Sequence, residues 1–550
     1  MTPIAEKYLT SKEVPAGIVV TGFSAELREF DGRLSIPATI KGRTVVKIAE
    51  KAFRDNRELT AVELPEGLLE VGRSAFKGCV NMETLQLPST LRDVGYRAFK
   101  ECAALQELVV PDKVQRIDAS AFKKCFNLRK VVFGAGLVEI GDGAFGGCQK
   151  LREIVTPAAT VTFGDGVFAK CDALASAKLT GRVLSTGVGM FVGCVALKDV
   201  ELPESITELR EGFFEGCEAL ETIKLPGKLR IIARNAFAGC KALRTIELPE
   251  TVVEIGDGAF AGSGLTKIVF PDSVKKFGAG IMKECASLVS VTLPKNIDRI
   301  EESTFWGCAA EGFTAIEIPA GVRLVGDNAF RECVNLTTAP LPDGLTRIGR
   351  SAFQKCDALR GVTIPDSVTS IGTFAFARCL SLAKETKTLT LPPDLQELGG
   401  GAFGGCARLE AFEIAGSNPT YCVQNGVLLT RDGTLVCYPS GKRERTFDVP
   451  KSVVMIGRYS FVDCLYLSAV VLPKTIESIG ERAFWGKSSV RTLQIPQSVS
   501  FIGENAFRTK TPLTVVAGSY AEEWAQENLH PYEVVGESTV SGDGETSTLL

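Results

Sequence analysis

Cysteine is the residue type in this chain whose number and spacing could support chemistry. The sequence contains 17 cysteines and one histidine, His530, in 550 residues. Thiols can form disulfides, ligate zinc or take part in redox reactions. Eight cysteines follow one another at intervals of 23 residues: Cys79, Cys102, Cys125, Cys148, Cys171, Cys194, Cys217 and Cys240. So regular a spacing is typical of a structural repeat. Within such a repeat the cysteines could form disulfides, bind a metal or remain as buried free thiols.

The residues that replace cysteine favour buried free thiols. Asn56 and Ser263 occupy the same position in two repeats, and both share with cysteine a small side chain and a polar hydrogen. Such a residue can satisfy a buried backbone carbonyl in a turn. Lys487 and Lys510 fill the position in the last two repeats. Cα atoms about 5 Å apart would permit bridges, but thiols in a line do not converge on zinc. We therefore expect no metal and no cofactor.

The composition excludes several classes of function. A single histidine argues against a Ser-His-Asp or Cys-His catalytic site and against a histidine-based metal centre. With 62 Lys and Arg against 65 Asp and Glu, the net charge of −3 argues against nucleic acid or an anionic membrane as the main partner. We predict that the protein is not an enzyme. The competing hypothesis is a carboxylate site formed by Asp199 and Glu201 with Glu153.

One repeat pattern, L-x-x-I-G-x-x-A-F-x-x-C-x-x-L-x-x-I-x-L-P, accounts for most of the chain, and residues 91–111 show it. Its phenylalanine position is filled nineteen times between residues 53 and 507. The alternating apolar residues of L-x-x-I-x-L predict a half-buried strand, which the proline ends. The segment I-G-x-x-A-F-x-x-C is predicted to turn the chain and fill the interior. The predicted structural ladder therefore joins the eight cysteines above to the phenylalanines, among them Phe76, Phe99, Phe122 and Phe145.

This pattern resembles the BspA-like class of leucine-rich repeat proteins, whose units run LPxxLxxIGxxAFxxCxxLxxI. The resemblance covers about residues 15–535. It implies a mainly β solenoid of about 19 stacked 23-residue repeats with capped ends. It also implies a non-enzymatic scaffold for protein–protein interaction or cell-surface adhesion, with a protein or other macromolecule as ligand. An intracellular structural repeat protein without a dedicated ligand is the alternative.

Breaks in the repeat set the predicted domain boundaries. Between Cys406 and Cys464 the spacing grows by 35 residues, and the extra segment holds two apolar runs, Val427–Thr430 and Thr434–Tyr438, joined through Asp432-Gly433. That pattern predicts a hairpin, which we interpret as a structural module rather than a private binding site. The predicted segments are a flexible amino-terminal stretch 1–14, an amino-terminal cap 15–50, a solenoid 51–414, an inserted β-hairpin 415–450, a continued solenoid 451–512, a carboxyl-terminal cap 513–536 and a disordered tail 537–550.

The outward positions of the predicted strands form a candidate interaction face. None of them is aromatic, so this face lacks platforms on which sugars or bases could stack. Two interpretations stay open, a solvated sheet surface and a broad contact surface on which many shallow contacts add. The residues of this candidate face are Thr84, Gln86, Glu107, Lys130, Glu153, Asp199, Glu201, Lys224 and Glu247.

The sequence leaves the location of the protein open. No run of eighteen apolar residues occurs, and the first seventeen residues hold no apolar core of signal-peptide length. The expectation is therefore a cytoplasmic protein by default. The cell surface or the medium is the alternative that the resemblance implies.

Overall fold

The chain forms stacks of short parallel strands, and each repeat contributes strands to the stack. The computed structural model describes residues 2–27, 29–159, 161–486, 490–508 and 511–536. Lys487, Lys510 and the tail predicted over 537–550 lie outside these residues. The chain divides into two compact units, Met1–Pro294 and Lys295–Leu550. This division falls within the predicted solenoid 51–414.

Within its described residues, the amino-terminal unit contains a 3-10 helix, Glu6–Tyr8, and 24 strands. They are β1 (Leu9–Val14), β2 (Gly17–Phe23), β3 (Arg33–Ser35), β4 (Thr39–Ile40), β5 (Arg43–Ile48), β6 (Ala61–Glu63), β7 (Glu70–Val71), β8 (Thr84–Gln86), β9 (Asp93–Val94), β10 (Glu107–Val109), β11 (Arg116–Ile117), β12 (Lys130–Val132), β13 (Glu139–Ile140), β14 (Glu153–Val155), β15 (Val161–Phe163), β16 (Ser176–Lys178), β17 (Val183–Ser185), β18 (Asp199–Glu201), β19 (Glu208–Leu209), β20 (Ile231–Ile232), β21 (Glu254–Ile255), β22 (Lys267–Val269), β23 (Lys276–Phe277) and β24 (Ser290–Thr292).

The carboxyl-terminal unit contains the remaining strands and one α-helix within its described residues. They are β25 (Arg299–Ile300), β26 (Leu324–Val325), β27 (Arg347–Ile348), β28 (Ser370–Ile371), β29 (Thr388–Leu391), β30 (Glu397–Leu398), β31 (Ala411–Ile414), β32 (Tyr421–Gln424), β33 (Val427–Thr430), β34 (Thr434–Cys437), β35 (Thr446–Asp448), β36 (Met455–Ile456), β37 (Ala469–Val471), β38 (Ser478–Ile479), β39 (Thr492–Gln494), β40 (Phe501–Ile502), β41 (Leu513–Val516), α1 (Tyr520–Glu527) and β42 (Tyr532–Val535).

The strand predicted at the end of each repeat is confirmed in most of the amino-terminal unit. We call these strands ladder A; they pair in parallel as β3-β6-β8, β10-β12-β14-β16-β18 and β22-β24. In β10 the central Leu108 is buried while Glu107 and Val109 are exposed. This alternation follows from the period of two in a strand, which turns successive side chains to opposite faces.

A second set of strands, ladder B, was not predicted. It consists of short strands directly before each turn, most of them of two or three residues. They pair in parallel as β5-β7-β9-β11-β13-β15-β17 and β19-β20-β21-β23 in the amino-terminal unit, and as β25-β26-β27-β28-β30 and β34-β36-β38-β40 in the carboxyl-terminal unit. In β11, Arg116 is exposed and Ile117 is buried. Two residues are too few to show an alternating pattern in the sequence, so only the buried isoleucine or valine of the pattern marks this ladder.

The turn of each repeat stacks on the turn of the next. The backbone N–H of Phe99 donates to Ala121 O at 2.8 Å, and that of Phe122 donates to Ala144 O at 2.8 Å. The rings form a column inside: the Phe76–Phe99, Phe99–Phe122 and Phe122–Phe145 centroids are 5.3, 5.2 and 5.4 Å apart with nearly parallel planes. Each ring is thus buried mainly by the equivalent ring of its neighbours.

The paired structure at the amino terminus starts earlier than the predicted cap at residue 15. β1 pairs antiparallel with β2 from Leu9 to Val14, and β2 pairs in parallel with β5 at the start of ladder B. Residues 9–14 therefore form a strand in the stretch that was predicted to be flexible. The hairpin covers the first rung of ladder B, where open strand edges would otherwise invite pairing with another chain.

The segment 415–450 is partly a shortened repeat rather than only an inserted hairpin. β33 and β34 pair antiparallel as predicted, and β32 adds a third strand. β34 also pairs in parallel with β36, so it serves as a rung of ladder B. Tyr438 takes the phenylalanine position, with its ring 5.4 Å from Phe461. The sequence conceals this repeat because its turn is two residues shorter than the pattern.

Asn418 anchors the start of this segment. Its side chain is buried, donates from Nδ2 to Pro393 O and Leu395 O at 2.8 and 2.9 Å, and accepts at Oδ1 from Tyr421 N at 2.7 Å. The Tyr421 hydroxyl in turn accepts from Leu398 N at 2.9 Å. These bonds join the segment to the preceding repeat.

The segment predicted as a carboxyl-terminal cap, 513–536, contains β41, α1 and β42. β42 pairs in parallel with β41, and Ala521 and Ala525 of α1 are buried. Ser519 Oγ accepts from Glu522 N at 3.3 Å, as in a capping box. The Glu522 carboxylate, however, accepts from Gly518 N at 2.7 Å, one residue before the position that a capping box uses.

Replacing Phe122 by alanine tests the column of stacked rings. Phe122 is fully buried between two parallel rings, so F122A should leave a cavity that costs about 3–5 kcal/mol. Because each repeat contacts only its neighbours, hydrogen exchange should quicken near residues 99–145. F126A is the matched control, since Phe126 lies in the same turn region with its side chain exposed. Uniform loss of protection throughout the amino-terminal unit would contradict the neighbour-limited packing.

Candidate functional site

Ladder A brings most of the predicted interaction residues to one exposed surface. Glu107 is directly opposite Lys130, and Lys130 is opposite Glu153, so their side chains form a column of alternating charge. A second column beside it contains Val109, Val132 and Val155, which are 61%, 43% and 45% exposed. The remaining predicted residues with exposed side chains are Thr84, Gln86, Asp199, Glu201, Lys224 and Glu247.

The structure places two of these residues outside any strand. Lys224 and Glu247 belong to segments in which the predicted strand pairing is absent, apart from an isolated bridge between Thr245 and Lys267. The segments 222–225 and 245–249 line an open groove of about 490 Å³. Ladder A is therefore continuously paired from β10 to β18 and forms a groove at residues 222–225 and 245–249. The sequence pattern is the same in both parts, so it carries no signal for this change.

The carboxylates of the competing enzyme hypothesis do not assemble into a pair. Asp199 and Glu201 lie on β18 with exposed side chains, and Glu153 lies on β14, two strands away in the order β14-β16-β18. Glu201 Oε2 is 2.6 Å from Lys178 Nζ, in an ion pair whose side chains are about half exposed. A solvated ion pair of this kind stabilises little and supplies no desolvated acid or base.

The predicted cysteine ladder is buried, and its thiols bond to backbone carbonyls. Each Sγ donates to the carbonyl of the phenylalanine in the preceding repeat, as from Cys102 to Phe76 O at 3.2 Å. The same carbonyl accepts the N–H of Cys79 at 3.3 Å. The eight cysteines of the regular run show this bond at 3.1 to 3.4 Å: Cys79, Cys102, Cys125, Cys148, Cys171, Cys194, Cys217 and Cys240.

The other occupants of the position use different bonds. Asn56 accepts at Oδ1 from Glu58 N and Leu59 N at 2.9 and 3.1 Å, rather than donating. Ser263 Oγ lies 3.5 Å from Cys285 Sγ. The 17 cysteines are free thiols, and Cys422 differs from the other 16 in being only partly buried.

Burial raises the pKa of Cys102, Cys125, Cys148, Cys217 and Cys240. Desolvation is the main cause, and it raises the pKa of Cys148 to about 12 and that of Cys125 well above its ordinary value of 9.0. The nucleophile and metal ligand is the thiolate, so a raised pKa makes these groups inert near neutral pH. Among the described residues, no group of three or more His, Cys, Asp or Glu side chains is arranged to hold a metal ion.

His530 has a structural environment. Its ring lies 5.9 Å from Phe507 and 5.6 Å from Trp524, and its Nε2 is 2.8 Å from Thr511 O. The histidine therefore helps to seat α1 on the end of the stack. No helix within the described ranges combines the length and apolar character that crossing a membrane requires.

Sequence reasoning about the strand face did not find the exposed aromatic and arginine residues, which lie on the turn side. Trp485 is 42% exposed, and Arg482 has its guanidinium carbon 5.6 Å from that ring. The available signal was the third position of the G-x-x-A-F turn, where most repeats have Gly, Ser or Asn but this region has bulky residues.

Two parallel ladders joined by turns with a buried phenylalanine define a leucine-rich repeat β-solenoid. The family described as BspA type leucine rich repeat region (6 copies) matches residues 29–137, 92–221, 207–315, 309–423 and 440–520. These segments include well over half of the chain, so the protein belongs to the BspA type leucine-rich repeat family. The unmatched residues 424–439 coincide with β33, β34 and the shortened turn.

The chain is similar to several solved structures. A leucine-rich repeat protein from Bacteroides ovatus is 28% identical over 74% of this chain and 92% of its own, with a TM-score of 0.53. A leucine rich cell surface protein from Faecalibacterium prausnitzii is 21% identical over 64% of this chain and 94% of its own, with a TM-score of 0.33. The pneumococcal vaccine antigen PcpA is 15% identical over 96% and 99%, with a TM-score of 0.26. No curated protein matches the sequence.

The raised thiol pKa predicts a loss of stability at alkaline pH. Unfolded thiols ionise near pH 9, whereas the buried Cys148 keeps its proton up to about pH 12, and the pKa of Cys125 is likewise raised. Above pH 9 the folded state therefore binds more protons, and the free energy of unfolding falls as pH rises, by about 1.4 kcal/mol per pH unit for each such thiol. Urea midpoints measured between about pH 8 and pH 11 should show this fall.

The variant C125A/C148A/C171A is the control for that measurement. It retains every other titratable group, so any difference in slope belongs to the three thiols. Its urea midpoint should fall less steeply with pH than that of the unmodified chain. If the urea midpoints of the two proteins fell equally steeply with pH, the three thiols would not be desolvated in the way that the structure shows.

Proposed function

We propose that this protein is a non-enzymatic repeat scaffold that binds a partner protein through ladder A. The observation that carries the proposal is the column of Val109, Val132 and Val155, exposed side by side on three paired strands. Exposed contiguous apolar side chains on a folded protein mark an interaction surface more often than scattered ones do. The strands hold these side chains rigidly, so a partner need not order them on binding.

The charges beside the valines support a protein ligand. Glu107, Lys130 and Glu153 alternate in sign along the neighbouring column, which gives a polar rim of mixed charge. An apolar centre with a polar rim is the usual anatomy of protein–protein interfaces. The surface from β10 to β18 spans four strand spacings, about 19 Å. A sheet surface of that extent suits a macromolecule, whereas small molecules favour concave pockets.

Placing a charge in the valine column tests this function. The variant V132D/V155D should lose binding because an aspartate desolvated at the centre of an interface carries a large penalty. V138D is the matched control, since Val138 is 49% exposed and precedes β13 of ladder B. The unmodified full-length protein and both variants carry the same photo-crosslinker on ladder A. Each is exposed to extracts and surface fractions of the source cells. Crosslinked proteins are then identified by mass spectrometry.

The outcomes separate the scaffold from its alternatives. The proposal is supported if the unmodified chain and V138D capture a partner protein and V132D/V155D does not. Equal capture by all three proteins, or equal loss in the control, removes ladder A as the binding face. Capture by none favours a structural repeat protein without a dedicated ligand. Fractionation of the native protein between cytosol, cell surface and medium distinguishes surface adhesion from an intracellular scaffold.

A further inference from the structure

The turns of this solenoid contain a position that requires a left-handed backbone. The third residue of the G-x-x-A-F turn has φ near +55° in nearly every repeat, and glycine, serine or asparagine usually occupies it. Bulky side chains are unfavourable in this conformation. In the amino-terminal unit Lys51 and Arg97 are nevertheless the bulky residues at this position. In the carboxyl-terminal unit three turns have bulky residues there: Phe374, Tyr459 and Arg482, with φ of 59°, 56° and 51°.

The shortened repeat brings the first two of these residues together. Gly400 and Gly401 lie between the turns of Phe374 and Tyr459, and a Cβ at Gly401 would be 2.6 Å from Phe374 Cε1 and 3.2 Å from Tyr459 Cβ. Beside Gly401, the rings of Phe374 and Tyr459 contact each other edge to face, with their centroids 4.7 Å apart. Any larger residue at position 401 would push the rings apart.

Arg482 continues the row from Tyr459 to Trp485. Its Nη1 donates to the Tyr459 hydroxyl at 2.8 Å and to Glu481 Oε1 at 3.1 Å. Its guanidinium carbon is 5.9 Å from the Tyr459 ring and 5.6 Å from the Trp485 ring. Arg458 bonds the other oxygen of Glu481. The guanidinium is thus held in place by aromatic rings and by one shared carboxylate.

These six residues, Phe374, Arg458, Tyr459, Glu481, Arg482 and Trp485, form what we call the arginine–aromatic surface. Folding does not need bulky residues at its three strained positions, because glycine, serine or asparagine serves in most other repeats. Strained residues persist where they have a functional use. Tryptophan, tyrosine and arginine are also the residues that dominate binding energy at protein interfaces.

We propose that the arginine–aromatic surface binds an acidic segment of a partner protein that carries an apolar side chain next to a carboxylate. Glu481 bonds both arginines, and Glu504 also interacts with Arg482. A carboxylate ligand would therefore be recognised by the donors of Arg482 that remain free rather than by an excess of positive charge. The side chain of Arg458 is 66% exposed and that of Arg482 is 37% exposed. Nη2 and Nε of Arg482 form no hydrogen bond with a described residue. These two donors of the planar guanidinium are therefore available to a carboxylate. The exposed ring of Trp485 receives the apolar side chain.

Short synthetic peptides test this proposal with the full-length protein. One series carries Asp-Leu or Glu-Leu pairs, and a matched series carries Asn-Leu or Gln-Leu; binding is followed by fluorescence anisotropy. The acidic series should bind about tenfold or more tightly than the amide series, since a charge-assisted hydrogen bond distinguishes them. R482Q and W485A should each weaken that binding by a similar factor. R482K should also weaken it, because lysine keeps the charge but lacks the planar fork.

Two controls make the result specific to this surface. R331Q alters another arginine stacked near a tryptophan, with Arg331 5.2 Å from the Trp306 ring, and should leave peptide binding unchanged. V132D/V155D should also leave it unchanged, so failure here and failure of the ladder A proposal are distinguishable. Thermal unfolding midpoints confirm that each variant is folded. The proposal would be overturned if the two peptide series bound equally, if neither showed saturable binding, or if R331Q weakened binding as much as R482Q does. A preference for polygalacturonate or single-stranded DNA over the acidic peptides would also overturn it.

Discussion

The structure depends on a constraint that no single repeat can meet alone: each buried phenylalanine and each buried thiol needs the repeat beside it. Phe99 stacks on Phe76 at 5.3 Å, and Cys102 donates its thiol proton to the carbonyl of the same Phe76 at 3.2 Å. Both contacts fix the register between neighbouring turns. That register also sets the pairing of ladder A, so the surface of valines and alternating charges exists only because the turns are aligned.

The sequence predicted the features that recur with the full repeat. The strand at 107–109, the buried position of Phe99 and the polar role of the cysteine position all follow from residue types at fixed spacing. Ladder B was missed because a strand as short as Arg116–Ile117 shows no alternation. The shortened repeat was missed because Cys437 and Tyr438 occupy the alanine and phenylalanine positions after a deletion of two residues, which breaks the spacing. The absence of pairing at 222–224 has no signal in residue type.

Of the candidate surfaces, ladder A follows from the repeat and the arginine–aromatic surface follows from departures from it. Outward strand positions accept many side chains without strain, so their identity could be read directly from the pattern. Turn positions such as 459 and 482 have a left-handed backbone, and a bulky residue there is informative because it is unfavourable. Their mutual contacts depend on Gly401 and on the shortened repeat, neither of which a single repeat pattern predicts.

The most direct test of the central claim is a count of reactive thiols in the folded and unfolded protein without reductant. The account predicts that in the folded protein only the partly buried Cys422 reacts rapidly with a thiol reagent, and that all 17 react in denaturant. Rapid reaction of several ladder cysteines in the folded protein would contradict their inward position. A denatured count far below 17 would show that the cysteines are bridged rather than bonded to the phenylalanine carbonyls.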